Sequence, residues 1–130
     1  NSFSYRRGIP IDQSENGGGF VFDCRAIHNP GRYNEYKNLT GKDPEVIKFL
    51  KTESQADQFV QDAFVLVKQS TRVYLERNFT NLMVNFGCTG GQHRSVYCAN
   101  KMQSLLKTEF GDSIDIIKYH REQELKDLGL

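Results

Sequence analysis

The sequence has few cysteines, no apolar run of membrane-spanning length and almost no net charge, and each shortage excludes a class of protein. Its three cysteines, Cys24, Cys88 and Cys98, are an odd number without disulfide-like spacing, which predicts reduced thiols and a cytoplasmic protein. No Cys-x-x-Cys or His-x-x-x-His pair occurs, so we expect no metal site. A membrane helix needs about 20 apolar residues, and neither such a run nor a signal peptide is present.

The charge balance limits the partners that the chain can bind through bulk electrostatics. Lysine and arginine number 17 and the acids 16, giving a formal net charge of +1. Dedicated nucleic-acid modules are usually clearly basic, so only a local basic face would serve RNA here. Lys68, Arg72 and Arg77 form the candidate for such an RNA- or protein-binding face, and solvated helix charges are the plainer interpretation.

The length of 130 residues and the apolar content of 38% fit one domain with a real core. Because the first residue is Asn1, we expect residues 1–130 to be one domain of a longer protein with an upstream neighbour. Residues 13–19 are rich in glycine and predict a flexible loop. Alternating apolar residues predict strands over residues 2–7, 20–25, 80–86 and 114–119. Helical patterns follow Asp43-Pro44 and Ser54 and cover residues 94–110 up to Gly111.

This alternation of strands and helices predicts a single α/β domain. We expect a two-layer or three-layer sandwich in which a mainly parallel sheet is flanked by helices. Ligands of such sheets bind beyond the carboxyl ends of the strands. Three polar groups follow predicted strands and should meet at that edge: Asp23 with Arg25, Gly87 with Cys88, and His120 with Arg121.

The strongest motif is Gly87-Cys88-Thr89-Gly90-Gly91-Gln92-His93-Arg94-Ser95, which lies between a predicted strand and a predicted helix. Gly90 and Gly91 allow the backbone to bring its N–H groups together as an anion nest, and the helix N-terminus adds unpaired N–H groups. Arg94 offers a planar fork for two phosphate oxygens. Thr89, His93 and Ser95 add further donors, so the motif predicts phosphate binding.

The same motif has a second interpretation, because Cys88 and Arg94 have the Cys-x5-Arg spacing of cysteine-dependent phosphatases. In such enzymes a thiolate attacks phosphorus while the loop and the arginine hold the oxygens. That chemistry also needs a general acid, for which Asp23 and Asp115 are the candidates. Gly87 stands where a histidine commonly precedes the nucleophile. We therefore expect a binding domain without a cofactor rather than an enzyme.

Several other residues have both a structural and a functional interpretation. Asp23 and Arg25 form either an ion pair or part of the site. His28 and Asn29 serve either the turn at Pro30 or the ligand. His120 and Arg121 mark either the end of an element or a ligand contact. Cys24 and Cys98 are interpreted as small buried apolar residues.

The loop from Gly87 to Val96 resembles the signature of the RapZ/YvcJ family of bacterial proteins, in its C-terminal domain. Four further stretches match in the same order: Tyr5 to Pro10, Phe22-Asp23-Cys24-Arg25 with Asn29-Pro30, Leu39-Thr40-Gly41-Lys42-Asp43, and His120-Arg121. The resemblance implies an α/β domain that binds glucosamine-6-phosphate, and an adapter role with a small RNA and a ribonuclease as partners. The usual family member also carries an N-terminal nucleotide-binding domain with a Walker loop, which these residues lack, so we expect no ATP site within them. The implied pocket comprises Asp23, Arg25, Cys88, Thr89, Gly90, Gly91, His93 and Arg94.

Overall fold

A parallel sheet lies at the centre of the computed structural model, which describes residues 1–14, 16 and 18–130. Within these residues the sheet has three strands in the order β1-β3-β2, and both neighbouring pairs are parallel. The strands are β1 (Ser2–Ser4), β2 (Phe20–Asp23) and β3 (Val84–Cys88). The predicted single α/β domain with a mainly parallel sheet is therefore confirmed. Of the predicted loop over residues 13–19, Glu15 and Gly17 lie outside the described residues.

The described residues form four α-helices, and the amphipathic faces of α1, α2 and α3 supply much of the core. Helix α3 packs against β1, β3 and α2, while α4 packs against β1 and α1 against α2. Fully buried side chains of α1, α2 and α3 meet the strands at Phe86 and Cys88. None of the helices in the described part of the chain combines the length and apolar character needed to cross a membrane. The helices are α1 (Pro44–Thr52), α2 (Ala56–Glu76), α3 (Arg94–Phe110) and α4 (Arg121–Asp127).

The predicted strands over residues 2–7 and 20–25 end early, at Ser4, where Tyr5–Arg7 form a 3-10 helix, and at Asp23. Two larger differences, over residues 114–119 and 80–83, are explained by strand pairing. Residues 114–119 do not form a ladder: only one isolated bridge joins His120 to Ser2, and Ile117 and Tyr119 are exposed. The third strand begins at Val84, four residues later than predicted, because Val84 pairs with Phe20, the first residue of β2. A β-strand exists only where a partner supplies hydrogen bonds, and residues 80–83 have no strand beside them.

Candidate functional site

The carboxyl ends of the three strands lie together and bring two of the predicted polar groups to one edge. Asp23 pairs in register with Gly87, and Ser4 with Cys88. The N–H of Cys24 then donates to the carbonyl of Gly87 at 2.7 Å. The chain leaving β2 therefore runs directly beside the loop that leaves β3, as parallel pairing requires.

The third predicted group consists of His120 and Arg121, and only Arg121 reaches this edge. The expectation that His120 lies there is wrong. His120 bridges to Ser2, the first residue of β1, and its ring is buried between the Ser2 hydroxyl (2.7 Å) and the side-chain oxygen Oδ1 of Asn100 (3.0 Å). Burial lowers the pKa of His120 to about 4, so the ring is neutral at pH 7. The Arg121 guanidinium does reach the edge, where it donates to the carbonyls of Ser4 and Gly8.

The loop between β3 and α3 is held by contacts on both sides. Gly91 has a φ of +64°, and a Cβ there would lie 2.9 Å from both the Ser4 nitrogen and the Phe3 carbonyl carbon. Ser4 Oγ donates to the carbonyl of Thr89 at 2.6 Å. The Gln92 side chain donates to the carbonyls of Lys37 and Leu39. These contacts fix the loop conformation before any ligand arrives.

Backbone N–H groups are the main unpaired donors of this loop. In the described part of the chain, no protein acceptor is found for the N–H groups of residues 89–96. The last three belong to the first turn of α3, where a helix leaves its N–H groups unpaired and its dipole is positive. An anion at this position accepts hydrogen bonds and is also stabilised by the helix dipole, whereas a neutral acceptor gains mainly the hydrogen bonds.

Arg94, the first residue of α3, is a buried arginine beside this loop. It is only 4% exposed, and its Nη1 donates to the carbonyls of Arg25 (2.8 Å) and Ile27 (3.0 Å). Both hydrogens of Nη1 are thereby used. Its Nε is buried and, among the described residues, has no hydrogen-bond partner. The protein thus orients the guanidinium and leaves unmet the Nε–Nη2 edge, which binds two oxygens of an oxyanion.

This arginine lies in the wall of a cavity of about 710 Å³, here called the carboxyl-edge cavity. That volume suits a small-molecule ligand. One wall consists of residues 25–29 with Arg32, Thr89 and Arg94. The rest of the lining comes from residues 53–55 at the turn between α1 and α2, and from Gln58, Phe59 and Asp62 of α2. The lining therefore includes arginines, carboxylates and amides.

The predicted residues His28, Asn29 and His93 all hold the loops around this cavity. His28 and Asn29 line it; His28 Nδ1 donates to the carbonyl of Glu53, and Asn29 accepts from the N–H of Gly31. His93 is buried, and its Nε2 donates to the carbonyl of Tyr36 at 2.9 Å. Burial lowers the pKa of His93, which keeps the ring neutral and its Nε2 hydrogen in this bond.

Asp23 and Arg25 form a bidentate ion pair at the mouth of the site. Arg25 Nη2 lies 2.7 Å from Asp23 Oδ2, both side chains are about half exposed, and the guanidinium stacks on Tyr5 at 3.9 Å. The hydrogen bond from Arg25 lowers the pKa of Asp23, so this carboxyl is ionised at neutral pH. Asp23 thus has no proton to donate. Asp115, the other candidate acid, lines a different cavity at the opposite end of the sheet.

All three thiols are free and buried. Cys88 Sγ donates to Ser95 Oγ at 3.1 Å, which joins the end of β3 to the first turn of α3. A hydrogen bond with Cys98, together with burial, raises the pKa of Cys24 well above its ordinary value. No cluster of three or more metal-ligating side chains occurs in the described residues.

Sequence reasoning missed the wall formed by the α1–α2 turn. Glu53, Gln55, Gln58 and Asp62 face the carboxyl-edge cavity, although they lie far from the glycine-rich loop in sequence. Their one local signal is Ser54, whose Oγ accepts from the N–H of Ala56 and so marks where α2 begins. The charged candidates Lys68 and Arg72 lie elsewhere on α2, over the Phe64 ring and paired with Glu109.

A second cavity of about 770 Å³ lies at the amino ends of the strands and is called the amino-edge groove. Its lining includes residues 79–84, residues 113–119, and Val67, Met102 and Leu106 from α2 and α3. Most of these side chains are apolar, and Phe79 and Ile117 are exposed. None of the predicted ligand-binding residues lines this groove.

Comparison with known proteins identifies relatives along nearly the whole chain. The family described as the RapZ C-terminal domain matches residues 1–124. A nucleotide-binding protein of Nitrosomonas europaea is 40% identical over 92% of this chain, and one of Thermotoga neapolitana is 37% identical over 95%. A third, from Acinetobacter baumannii, is 33% identical over 95%. The chain spans about 38–41% of the length of these relatives.

Proposed function

Because the chain belongs to the RapZ C-terminal domain family, we propose that its carboxyl-edge cavity binds the phosphate of a small phosphorylated metabolite. The resemblance of its motifs points to an amino-sugar phosphate such as glucosamine-6-phosphate. One observation carries the proposal: the buried Nε of Arg94, which has no partner among the described residues. A buried guanidinium donor without an acceptor is costly, and a phosphate oxygen would supply that acceptor.

The phosphate would lie between the Arg94 guanidinium and the first turn of α3. Nε and Nη2 of Arg94 would donate to two oxygens, and unpaired N–H groups of residues 89–96 would donate to the others. Charge-assisted hydrogen bonds of this kind are roughly twice as strong as neutral ones. Arg32 and Arg25 extend the positive wall toward the mouth of the cavity.

Binding rather than phosphoryl-transfer chemistry fits the geometry of the thiol and the acids. Asp23 is ionised and paired with Arg25, while Cys88 is buried and does not line the carboxyl-edge cavity. A phosphatase needs a thiolate and a protonated acid beside the ligand. We therefore assign this domain to ligand sensing. Partner proteins or RNA would read the ligand state in the longer relatives.

Titration with glucosamine-6-phosphate, followed by amide NMR of the folded domain, tests the proposal. We expect the largest shifts at Gly90, Gly91 and Arg94. Arg94→Lys should weaken binding at least about 100-fold, because lysine cannot supply the two-donor edge. The matched control is Arg72→Lys, which changes an arginine paired with Glu109 on the protein surface and should leave affinity unchanged. Absence of shifts at millimolar ligand would disprove the proposal.

A further inference from the structure

The amino end of β1 lies in the amino-edge groove. Asn1 lines the groove and continues the pairing of β1 with β3, since its amine donates to the carbonyl of Val84 and its carbonyl accepts from the N–H of Phe86, both at 2.8 Å. Burial lowers the pKa of this amine to about 6, because the ammonium form loses hydration there. A peptide N–H in the same place would keep the bond to Val84 without burying a charge. The backbone position of Asn1 therefore suits a residue inside a strand.

A second segment lies along the other side of β1. The Ser2 N–H donates to the carbonyl of Tyr119 at 2.9 Å, within the parallel bridge between Ser2 and His120. An extended chain leading into β1 would therefore run between residues 80–83 and residues 114–119. Both of these segments line the amino-edge groove.

Both segments have the apolar pattern of a strand and no partner that would make them strands. Among the described residues, no backbone N–H group of residues 80–83 or 114–119 has a hydrogen-bond acceptor. Ile117 in the second segment is 74% exposed. A strand placed between the two segments would pair with both at once, as an inner strand of a parallel sheet does. One additional strand therefore accounts for two unpaired segments.

The register of such a strand follows from the pairs that already exist. Ser2 pairs with Phe86 and bridges to His120, so the first residue before Asn1 would lie opposite Val84. Side chains alternate along a strand, so the first and third residues before Asn1 would point to the same face as Ser2 and Phe86. That face packs against α3, which contributes apolar side chains to the groove. These two positions therefore require apolar residues.

The relatives have additional chain that could occupy this place. The matched family is a C-terminal domain, and the chain spans about 38–41% of the length of its relatives, so the relatives continue before the matched residues. We propose that the residues directly before Asn1 in the longer protein extend β1 by about three residues through the amino-edge groove and pair with residues 82–84 on one side and 116–118 on the other. The groove is then the place where the upstream region joins the sheet. This inference does not depend on the phosphate at Arg94.

Amide hydrogen exchange, followed residue by residue in the longer protein, tests the inference. Alternate residues of a parallel strand donate toward the same neighbour. In the register set by Ser2 and His120, the N–H groups of Ile117 and Tyr119 would donate to the extended β1, and that of Lys118 would point away from it. Exchange at Ile117 and Tyr119 should therefore be at least about 100-fold slower than at Lys118.

Proline at the second residue before Asn1 tests the contact directly. In the proposed register this residue donates to the carbonyl of Leu82, and proline has no N–H, so exchange at Ile117 and Tyr119 should rise at least about tenfold. Alanine at the same position keeps the N–H and is the matched control, which should leave the protection unchanged.

The exchange pattern in the unsubstituted longer protein decides the proposal even if the proline variant does not fold. Uniform exchange across residues 117–119, whether fast or slow, would overturn the inference, because only a paired strand protects alternate N–H groups. Protection that appears only at high protein concentration would assign the groove to a second copy of the chain and would overturn it as well. A polar residue at both the first and the third position before Asn1 would also contradict it.

Discussion

The carboxyl-edge cavity and the amino-edge groove lie at opposite ends of one sheet and have similar volumes, about 710 and 770 Å³. They differ in what surrounds them. The first is lined by Thr89 of the glycine-rich loop, the buried Arg94 and two carboxylates, whereas most of the side chains around the second are apolar. Volume therefore does not distinguish the two cavities; the buried Arg94 Nε, which has no hydrogen-bond partner among the described residues, does.

The two regions also depend on different parts of the chain. Backbone groups shape the carboxyl-edge cavity: the positive φ of Gly91, the carbonyls of Arg25 and Ile27, and the first turn of α3. Packed side chains such as Met102 and Leu106 form the floor of the amino-edge groove. A substitution at the first should change ligand affinity, whereas one at the second should change stability alone.

The largest effect is expected for Gly91→Ala at the carboxyl edge. A positive φ costs an alanine about 1–2 kcal/mol, and its Cβ would overlap backbone atoms of Phe3 and Ser4, at a further cost of about 1–3 kcal/mol. The free energy of unfolding should fall by about 4 kcal/mol, measured by urea denaturation. Affinity for glucosamine-6-phosphate should fall at the same time, because the loop must move.

Gly90→Ala is the control within the same loop. A Cβ at Gly90 would meet no atom within 4 Å, and its φ is not positive. We expect a change of under about 0.5 kcal/mol in the free energy of unfolding. Equal losses at the two glycines would contradict the claim that the Gly91 conformation shapes this cavity.

Met102→Ala tests the amino-edge groove and ranks second. Met102 is 3% exposed and belongs to the core, so truncation should lower the free energy of unfolding by about 3 kcal/mol. Affinity of the folded protein for glucosamine-6-phosphate should stay within about twofold. Leu75→Ala, in the same groove but 38% exposed, should cost under about 1 kcal/mol. A large loss of affinity in either variant would break the comparison between the two regions.

The sequence predicts the local parts of this fold well and the paired parts less well. Helix α3 runs over residues 94–110 and ends at Gly111 with a φ of +51°, because periodicity and glycine act within a few residues. Residues 114–119 have the apolar pattern of a strand, yet β1 has only three residues and offers them a single bridge at Ser2. Pairing depends on distant residues, which a local pattern does not contain.

The candidate site likewise has a local part that the sequence predicts and a tertiary part that it does not. The glycine-rich loop and Arg94 are visible in the sequence because strand, loop and helix follow one another. Arg94 donates to the carbonyls of Arg25 and Ile27, which precede it in the sequence by 69 and 67 positions. The sequence does not predict these contacts, because the acceptors are backbone carbonyls that every residue has. Glu53 and Asp62 likewise line the cavity only because α1 and α2 pack against each other in the folded protein.

The smallest change in the free energy of unfolding is expected for His120. This predicted site residue lies beside Ser2, the first residue of β1, and does not line the carboxyl-edge cavity. Burial lowers the pKa of His120 to about 4 in the folded protein, whereas the pKa of a histidine in the unfolded chain is about 6.5. Between these two pH values the unfolded chain therefore binds a proton that the folded protein does not bind. Stability is therefore complete above pH 6.5 and falls with pH toward 4. Between pH 6.5 and 5 this histidine should remove about 1.5 kcal/mol from the free energy of unfolding.

His120→Gln isolates that contribution, since the N-terminal amine and His93, whose pKa values are also lowered, titrate in both proteins. Urea denaturation at the two pH values should show a smaller loss in the variant by about 1.5 kcal/mol. Affinity for glucosamine-6-phosphate at pH 7 should be the same in both, because the ring contacts Ser2 and Asn100 and no cavity-lining residue. Weakened binding would contradict the conclusion that His120 lies away from the carboxyl-edge cavity. A loss of stability without a loss of affinity would show that His120 supports the sheet and takes no part in ligand binding.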